Sequence, residues 1–302
     1  MIKLHYIEML LAIERAGSIR AASKMLGKSQ PAVTKALRHA ESELGAAIFK
    51  RAPSGVAVTE EGVSILRRAR VIQNEIRRMS EEIDQRRGVG TGRLSVTVSP
   101  LAAHRLIAGA IKRFHKKFPG VHIHITGGHE PMAFGPVRDG LVDLVIGPEP
   151  QGTDASGLSV QFLVETPISV ITGAGSRWSN ATELSELVTG DWLMIGTYER
   201  LPLLRRRFTE LGLEAPEPKV TSDSIFSVLS TVQDSDYLCT FPELMLDHAV
   251  TKWRIVKLAL NTPMRPARIS IATSSERPMT PALQAFCDCI HQVAQNEFGQ
   301  GI

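Results

Sequence analysis

The sequence predicts an α/β body behind a small helical head that closes with a β-hairpin, the two joined by one long helix. Three observations predict it. Short helical patterns punctuated by Gly17, Gly27 and Gly45 open the chain, a stretch without proline runs from Glu60 to Arg87, and from Arg93 onward apolar runs alternate with helical patterns. At 302 residues the chain exceeds one ordinary core, and roughly 100 to 200 residues per domain suggests two or three units.

Hydrophobic residues make up 43% and charged residues 22% of the chain, a globular balance, and no run of about 18 apolar residues is present to span a bilayer. The opening MIKLHYIEMLLAIERAG has acids inside its apolar stretch and no small-residue cleavage pattern, so a cytoplasmic location without membrane partners is expected. Cys239, Cys287 and Cys289 form an odd set without metal-ligand spacing; inert buried thiols are expected, with Cys239 as the redox candidate. The net charge of +4 is uneven: up to Arg93 there are 17 Lys and Arg against 10 Asp and Glu, and beyond it 18 against 21. A basic head on a mildly acidic body suits nucleic-acid binding, although a solvated basic face has the same composition.

Leu4, Ile7, Leu10 and Leu11 share one stripe, predicting a first helix over about 3–16 that stops at Gly17. Ser18 caps a second helix whose inward face is read as Ala21, Ala22, Met25 and Leu26, and Gly27 makes the turn. Ser29 caps a third, with Pro31 in its first turn and Val33, Leu37, Ala40 and Leu44 inward. Gln30, Thr34, Lys35 and Arg38 are left outward. An amide, a hydroxyl, an ammonium and a guanidinium on one exposed helical face are what a major groove can pair with; a polar solvent face is the plain alternative. The stretch AAIFKRAPSGVAVTEEG then reads as a hairpin, or wing, with Lys50 and Arg51 placed to reach phosphates or a minor groove.

The segment AASKMLGKSQPAVTKALRHAESELGAAIFKR, followed by GVAVTEEG, resembles the N-terminal signature of LysR-type transcriptional regulators. Lys28, Ala40 and Ala52 to Ser54 depart from the usual pattern, where an aliphatic residue, a leucine and a more basic wing tip are common. The resemblance implies a winged helix-turn-helix over residues 1–58 that binds double-stranded DNA. In it Gln30, Pro31, Ala32, Thr34, Lys35 and Arg38 face bases or phosphates, Ser18 and Arg20 touch the backbone, and Arg51 and Ser54 belong to the wing.

Within residues 59–87, Ile65, Ala69, Ile72, Ile76, Met79 and Ile83 alternate by fours and threes as a heptad seam. A seam needs a partner, which is a second copy if the resemblance holds and the body of the same chain otherwise. GVGTG, residues 88–92, reads as a hinge.

The body, 93–302, alternates strands and helices as an open α/β sheet with right-handed crossovers. It resembles the two-lobed, periplasmic-binding-protein-like effector domain of the same family, with lobe I at 93–163 and 266–302 and lobe II at 164–265. Ser99-Pro100, Thr197 and Ser222 to Ser224 stand at strand-to-helix junctions, each an ordinary cap taken singly. The resemblance implies that they converge on a cleft, bordered by Gly128, His129, Gly147, Arg200, Phe241 and Pro242, with Phe241 as an apolar wall and His129 or Arg200 as a charge partner. Converging helix N-termini would favour a small organic acid as effector. His122 and His124 share one face of a strand, expected half-exposed near a sheet edge, and no metal or other cofactor is expected.

These readings converge on a DNA-binding transcriptional regulator, acting as a homodimer or homotetramer at the nucleoid, whose DNA geometry responds to a small effector. The alternative is a two-lobed small-molecule-binding protein or enzyme with a nonspecific helical head. No Gly-rich phosphate loop or G-x-S-x-G elbow supports an enzyme, and no catalytic residue is assigned.

Overall fold

The computed structural model describes residues 2–53, 55–128, 133–198 and 201–299, without the side chains of residues 202, 203, 248 and 249. It divides into two units, Met1–Ile83 and Asp84–Ile302. In the first, α1 (Leu4–Ala16) buries Leu10 and Ile13 and ends at Gly17, whose φ of 67° favours a residue without a Cβ. Ser18 caps α2 (Ile19–Met25), its Oγ accepting the Ala21 N–H at 3.1 Å. Ser29 caps α3 (Gln30–Leu44) through the Ala32 N–H at 3.4 Å, with Pro31 in the first turn.

The inward face of α2 departs from the expected one. Ile19, Ala22, Ser23 and Leu26 turn toward the core, while Ala21 is exposed and Met25 is 58% exposed. A serine inside the stripe disguises its helical spacing, and it is tolerated because its hydroxyl donates to Arg20 O at 2.8 Å. Leu44 also lies outside the core, at the last position of α3 before the left-handed Gly45.

β1 (Phe49–Ala52) and β2 (Gly55–Val58) pair antiparallel, with Arg51 opposite Val56. α4 (Glu60–Arg86) then starts with Glu60 and Glu61 at its positive end and runs 27 residues, about 40 Å. Leu66 and Ala69 from α4 complete the head's core with Ile13, Ala22, Val33, Leu37 and Ile48.

α4 ends in the second unit through paired backbone bonds, Val89 N–H to Asp84 O at 2.9 Å and Gly88 N–H to Gln85 O at 3.1 Å, with Gly88 at φ 82°. The expected hinge at 88–92 is therefore largely committed structure. Thr91 and Gly92 already belong to β3 (Thr91–Val98), paired with Gly120 and Val121. The Gln85 amide locks the same corner, donating to Thr91 O at 3.1 Å and accepting the Ala282 N–H at 3.0 Å.

The chain continues through α5 (Pro100–Arg105), α6 (Ile107–Phe114), β4 (Gly120–Gly127), α7 (Phe134–Arg138), β5 (Leu144–Pro148) and β6 (Leu158–Thr166). A second lobe holds β7 (Ile168–Gly173), β8 (Trp192–Ile195), α8 (Leu201–Glu210), β9 (Pro218–Ser222), α9 (Ile225–Gln233), β10 (Cys239–Pro242), α10 (Leu246–Lys252) and β11 (Ile255–Lys257). β12 (Ala267–Ser274) and α11 (Pro281–Phe298) return to the first lobe. Its sheet has the order β4-β3-β5-β12-β6; the first three strands are parallel, and β12 runs antiparallel to both neighbours. The sheet is mixed because β6 leaves for the other lobe and β12 comes back. The expected crossing near Leu163 falls inside β6, which continues to Thr166 and stops before Pro167, a residue without an N–H to donate.

In the second lobe β10 and β11 flank β7, and β8 pairs in parallel with β9. Val96, Phe114, Ile146, Ile271, Phe286 and Ile290 fill the first lobe, where the Phe114 and Phe286 rings meet edge to face at 5.2 Å. All three cysteines are free and buried, which withdraws Cys239 as a redox candidate, since a buried thiol is shielded from oxidants in solution. Burial pushes the Cys287 thiol up to about 12. Among the described residues no helix is long and apolar enough to cross a membrane, and no group of three His, Cys, Asp or Glu is placed to hold a metal ion.

Candidate nucleic-acid interface and effector cleft

Burial of Val33, Leu37 and Ala40 dictates what α3 presents outward. Gln30, Pro31, Ala32, Lys35 and Arg38 are exposed; Thr34 is half-buried, and its hydroxyl donates to Gln30 O at 3.0 Å. Arg20, Lys24 and Lys28 on α2 and its turn are exposed as well, as are Lys50 and Arg51 on the wing. Among the described residues none of these seven cations makes an ion pair. Elsewhere pairing is common: Arg70 binds Glu14 at 2.5 Å, Arg77 binds Glu81 at 2.7 Å, and Lys219 binds Asp191 at 2.6 Å. A face that leaves these seven cations outside ion pairs keeps their charge for an external polyanion.

The wing is positioned by groups that pattern reading overlooked. Glu41 reaches from α3 to accept the Ile48 and Phe49 N–H groups at 2.8 and 3.2 Å. Gly55 sits against the first turn, where an added Cβ would lie 2.2 Å from Gly17 O, and the Val56 N–H donates to that oxygen at 2.9 Å. Ser18 already uses its Oγ as a cap, and Ser54 lies outside the described residues.

In the second unit, Ser99 and Gly128 directly follow the carboxyl ends of β3 and β4, and Gly147 is the next-to-last residue of the neighbouring β5. Ser99 is buried, caps α5 through the Ala102 N–H at 3.4 Å and donates its own N–H to Ile146 O at 2.8 Å. Gly147 permits close approach, since its Cβ would lie 3.3 Å from that of Ser99, and Gly128 would strike Thr97 Cγ2 at 2.2 Å. Thr197 and Ser222 hold the same place in the second lobe, tied by the Gly196 N–H to Ser222 O at 2.9 Å. Ser222 Oγ accepts the Ser224 N–H at 3.2 Å, and Ser224 caps α9.

Three buried hydroxyls, Thr197 Oγ1, Ser270 Oγ and Thr273 Oγ1, lack a hydrogen-bond partner among the described residues. Ser270 lies directly across from Gly147 in the β5–β12 register. Central strands are read as packing positions, so nothing in its pattern marked it. Pro100 occupies the first turn of α5, and the next residue, Leu101, packs with Ile195, Leu229 and Met245 of the second lobe.

Phe241 is not an apolar wall of the cleft. It is 1% exposed, in a core that second-lobe residues share with Leu101, Val164 and Ile269, because β10 turns Cys239 and Phe241 inward together; Pro242 remains half-buried. His129 and Arg200 lie outside the described residues.

Residues 4–63 match the bacterial regulatory helix-turn-helix proteins of the lysR family, and residues 87–295 match the LysR substrate binding domain. The chain belongs to the LysR family. It is therefore a DNA-binding transcriptional regulator with an effector-binding domain, and not an enzyme. It is similar to the probable nitrogen assimilation transcriptional activator of Synechococcus elongatus, 25% identical with 94% of this chain and 93% of that protein covered. The regulator TdcA of Escherichia coli K12 is 26% identical, covering 80% of this chain and 77% of its own. In fold it is similar to CbnR, a LysR family transcriptional regulator, with a TM-score of 0.68, 18% identity and coverage of 97% and 99%. CbnR complexed with its target DNA gives the same TM-score, at 17% identity and coverage of 97% and 100%.

The seam expected of this LysR-family chain is only partly available to a partner. Ile65 and Ala69 pack into the head's own core, because the first turns of α4 cover α1. Ile72, Ile76, Met79 and Ile83 stay 39%, 38%, 60% and 46% exposed, an apolar stripe on an otherwise charged helix.

Proposed function

We propose that this regulator reads its operator through Gln30, Pro31, Ala32, Thr34, Lys35 and Arg38, with Ser18, Arg20 and the wing residues Arg51 and Ser54 on the backbone. The observation that carries the reading is the unpaired cationic face of α2, α3 and the wing. Arg38 and Lys35 suit guanine edges or phosphates, and Gln30 suits adenine. Two heads pair along Ile72, Ile76, Met79 and Ile83 as a homodimer, which can assemble further into a tetramer at the nucleoid in the cytoplasm.

The effector is a small organic acid held between the lobes by Ser99, Pro100, Gly128, Gly147, Thr197, Ser222, Ser224 and Pro242, with His129 and Arg200 as charge partners. The buried hydroxyl of Thr197, without a partner among the described residues, and the capped start of α9 support a polar, hydrogen-bonding guest. Effector occupancy alters how the heads are spaced, through different affinities for the two arrangements.

The test is binding to the chain's own upstream intergenic DNA across a salt series with unrelated competitor DNA. The parent should resist competitor and weaken steeply with salt. A Lys35→Ala and Arg38→Ala double variant should lose about 10-fold or more affinity and relax sequence preference. Unchanged affinity and preference would remove α3 from the recognition surface.

A further inference from the structure

Between Asp84 and Glu130 the sequence contains no carboxylate, yet eight lysines and arginines and five histidines fall there. Beyond Arg93 the chain carries 18 Lys and Arg against 21 Asp and Glu, and setting residues 94–129 aside leaves 13 against 21. An otherwise acidic body thus concentrates positive charge in one place. Lys112, Arg113, Lys116 and Lys117 occupy the last turn of α6 and the turn after it, and all four are exposed.

The turn is rigidly seated. The Lys117 N–H donates to Phe114 O at 2.9 Å, Phe114 is fully buried, and its ring stacks on Phe118 at 5.2 Å. His115 between the cations places Nε2 3.1 Å from Val121 O. Beside it runs β4, an edge strand that exposes His122 and His124.

Cations near a helix C-terminus answer the helix dipole, at about 0.3–1 kcal/mol each within the last turn. That effect accounts for one or two of the four. Many of the body's other cations are paired, as in Arg105 with Glu297 at 3.2 Å, Lys257 with Glu243 at 2.5 Å and Arg268 with Glu149 at 2.5 Å. Among the described residues Lys112, Arg113, Lys116 and Lys117 make no such pair, and Asp288 on the packed helix α11 accepts from Gln284 at 2.9 Å instead.

We propose that this end of α6 is a second nucleic-acid surface, which holds the phosphate backbone of the operator DNA without reading its bases. The proposal rests on the reading of the head as the operator-binding unit. Three of the four cations are lysines, compact point charges on flexible stems that suit phosphates and carry little base information. A small anion would need groups converging on a pocket, whereas all four of these are exposed at the surface. A protein partner would ordinarily bury a cluster of apolar anchors, whereas α6 and the turn after it, residues 107–119, expose no large apolar side chain, and Val89 and Ile125 stand singly on either side. A regularly charged polyanion fits what remains.

The experiment uses the full-length protein and two duplexes, the complete upstream intergenic DNA and the same DNA trimmed to the segment the head protects from nuclease. Affinity is measured across a salt series for the parent, for a variant carrying Lys112→Gln, Arg113→Gln, Lys116→Gln and Lys117→Gln, and for a charge-keeping variant carrying Lys112→Arg, Arg113→Lys, Lys116→Arg and Lys117→Arg. On the complete duplex the glutamine variant should lose about 3.6 from its log–log salt slope, at roughly 0.9 per phosphate contact, so that a fourfold rise in salt costs the parent about 150-fold more affinity than the variant. The charge-keeping variant should match the parent, and on the trimmed duplex all three should coincide. An unchanged slope on the complete duplex overturns the proposal and leaves the patch to an acidic protein. Equal loss on both duplexes overturns it too, because the effect would then act through the head. The head's role fails separately, when the Lys35→Ala and Arg38→Ala variant keeps the parent's affinity on the trimmed duplex.

Discussion

Thr197 Oγ1 is buried without a hydrogen-bond partner among the described residues, an arrangement that costs about 1–3 kcal/mol. Valine has nearly the same shape and no hydroxyl. Thr197→Val should therefore keep or raise the melting temperature while weakening the stabilisation that a panel of aliphatic and aromatic carboxylates gives the parent. A lowered melting temperature without ligand would mean that the hydroxyl has a structural partner. Cys287 is the contrasting case, a group whose burial resists ionisation. Its thiol is raised from 9.0 to about 12 by burial first and the Asp288 charge second. Below pH 9 both folded and unfolded chains hold the proton, so the group adds no pH dependence there. Above that value the unfolded state ionises first and stability falls, by up to about 1.4 kcal/mol per pH unit until the folded thiol also titrates. Cys287→Ala should flatten the alkaline limb of a stability–pH profile between pH 9 and about 12 relative to the parent, and an identical limb in both would contradict this account.

At the scale of elements, the wing shows how two segments are joined by backbone contact alone. Gly55 has φ 138° and faces Gly17 O, so Gly55→Ala would combine backbone strain with a clash against an oxygen that cannot move without disturbing the end of α1. The expected cost is about 2 kcal/mol or more. It should appear as a lower head melting transition and weaker DNA binding, with the effector domain's transition unmoved; a shift of both would point to coupled unfolding. Elements carrying local signals were legible in the sequence. Ser29 and Pro31 announced α3, Gly17 closed α1, and the heptad spacing with no proline announced α4. What escaped depends on partners distant in sequence. The stripe of α2 includes Ser23, whose hydroxyl is satisfied locally; the glycines at 88–92 serve a helix cap and a strand start; and Phe241 went inward because β10 lies beside β7. Composition marks flexibility, but only contacts decide whether a glycine is a hinge or a cap.

At the scale of the whole chain, the remaining question is what α4 does with its exposed stripe. A single helix about 40 Å long with Ile72, Ile76, Met79 and Ile83 open to solvent gains by burying them against a second copy. Each exposed isoleucine or methionine contributes roughly 1 kcal/mol or more when covered, and pairing links two heads so that the second half-site is met at a high effective concentration. Ile76→Asp with Met79→Asp places two charges in the seam without touching either unit's core, since both positions are exposed here. Sedimentation should then report a monomer with an unchanged circular dichroism spectrum. Affinity for the complete upstream duplex should fall by about 100-fold, toward that for a single half-site, while affinity for an isolated half-site stays at the parent's value. A variant that remains dimeric would move the pairing to the effector domains, and a loss on the isolated half-site as well would show that the seam also supports the fold of the head.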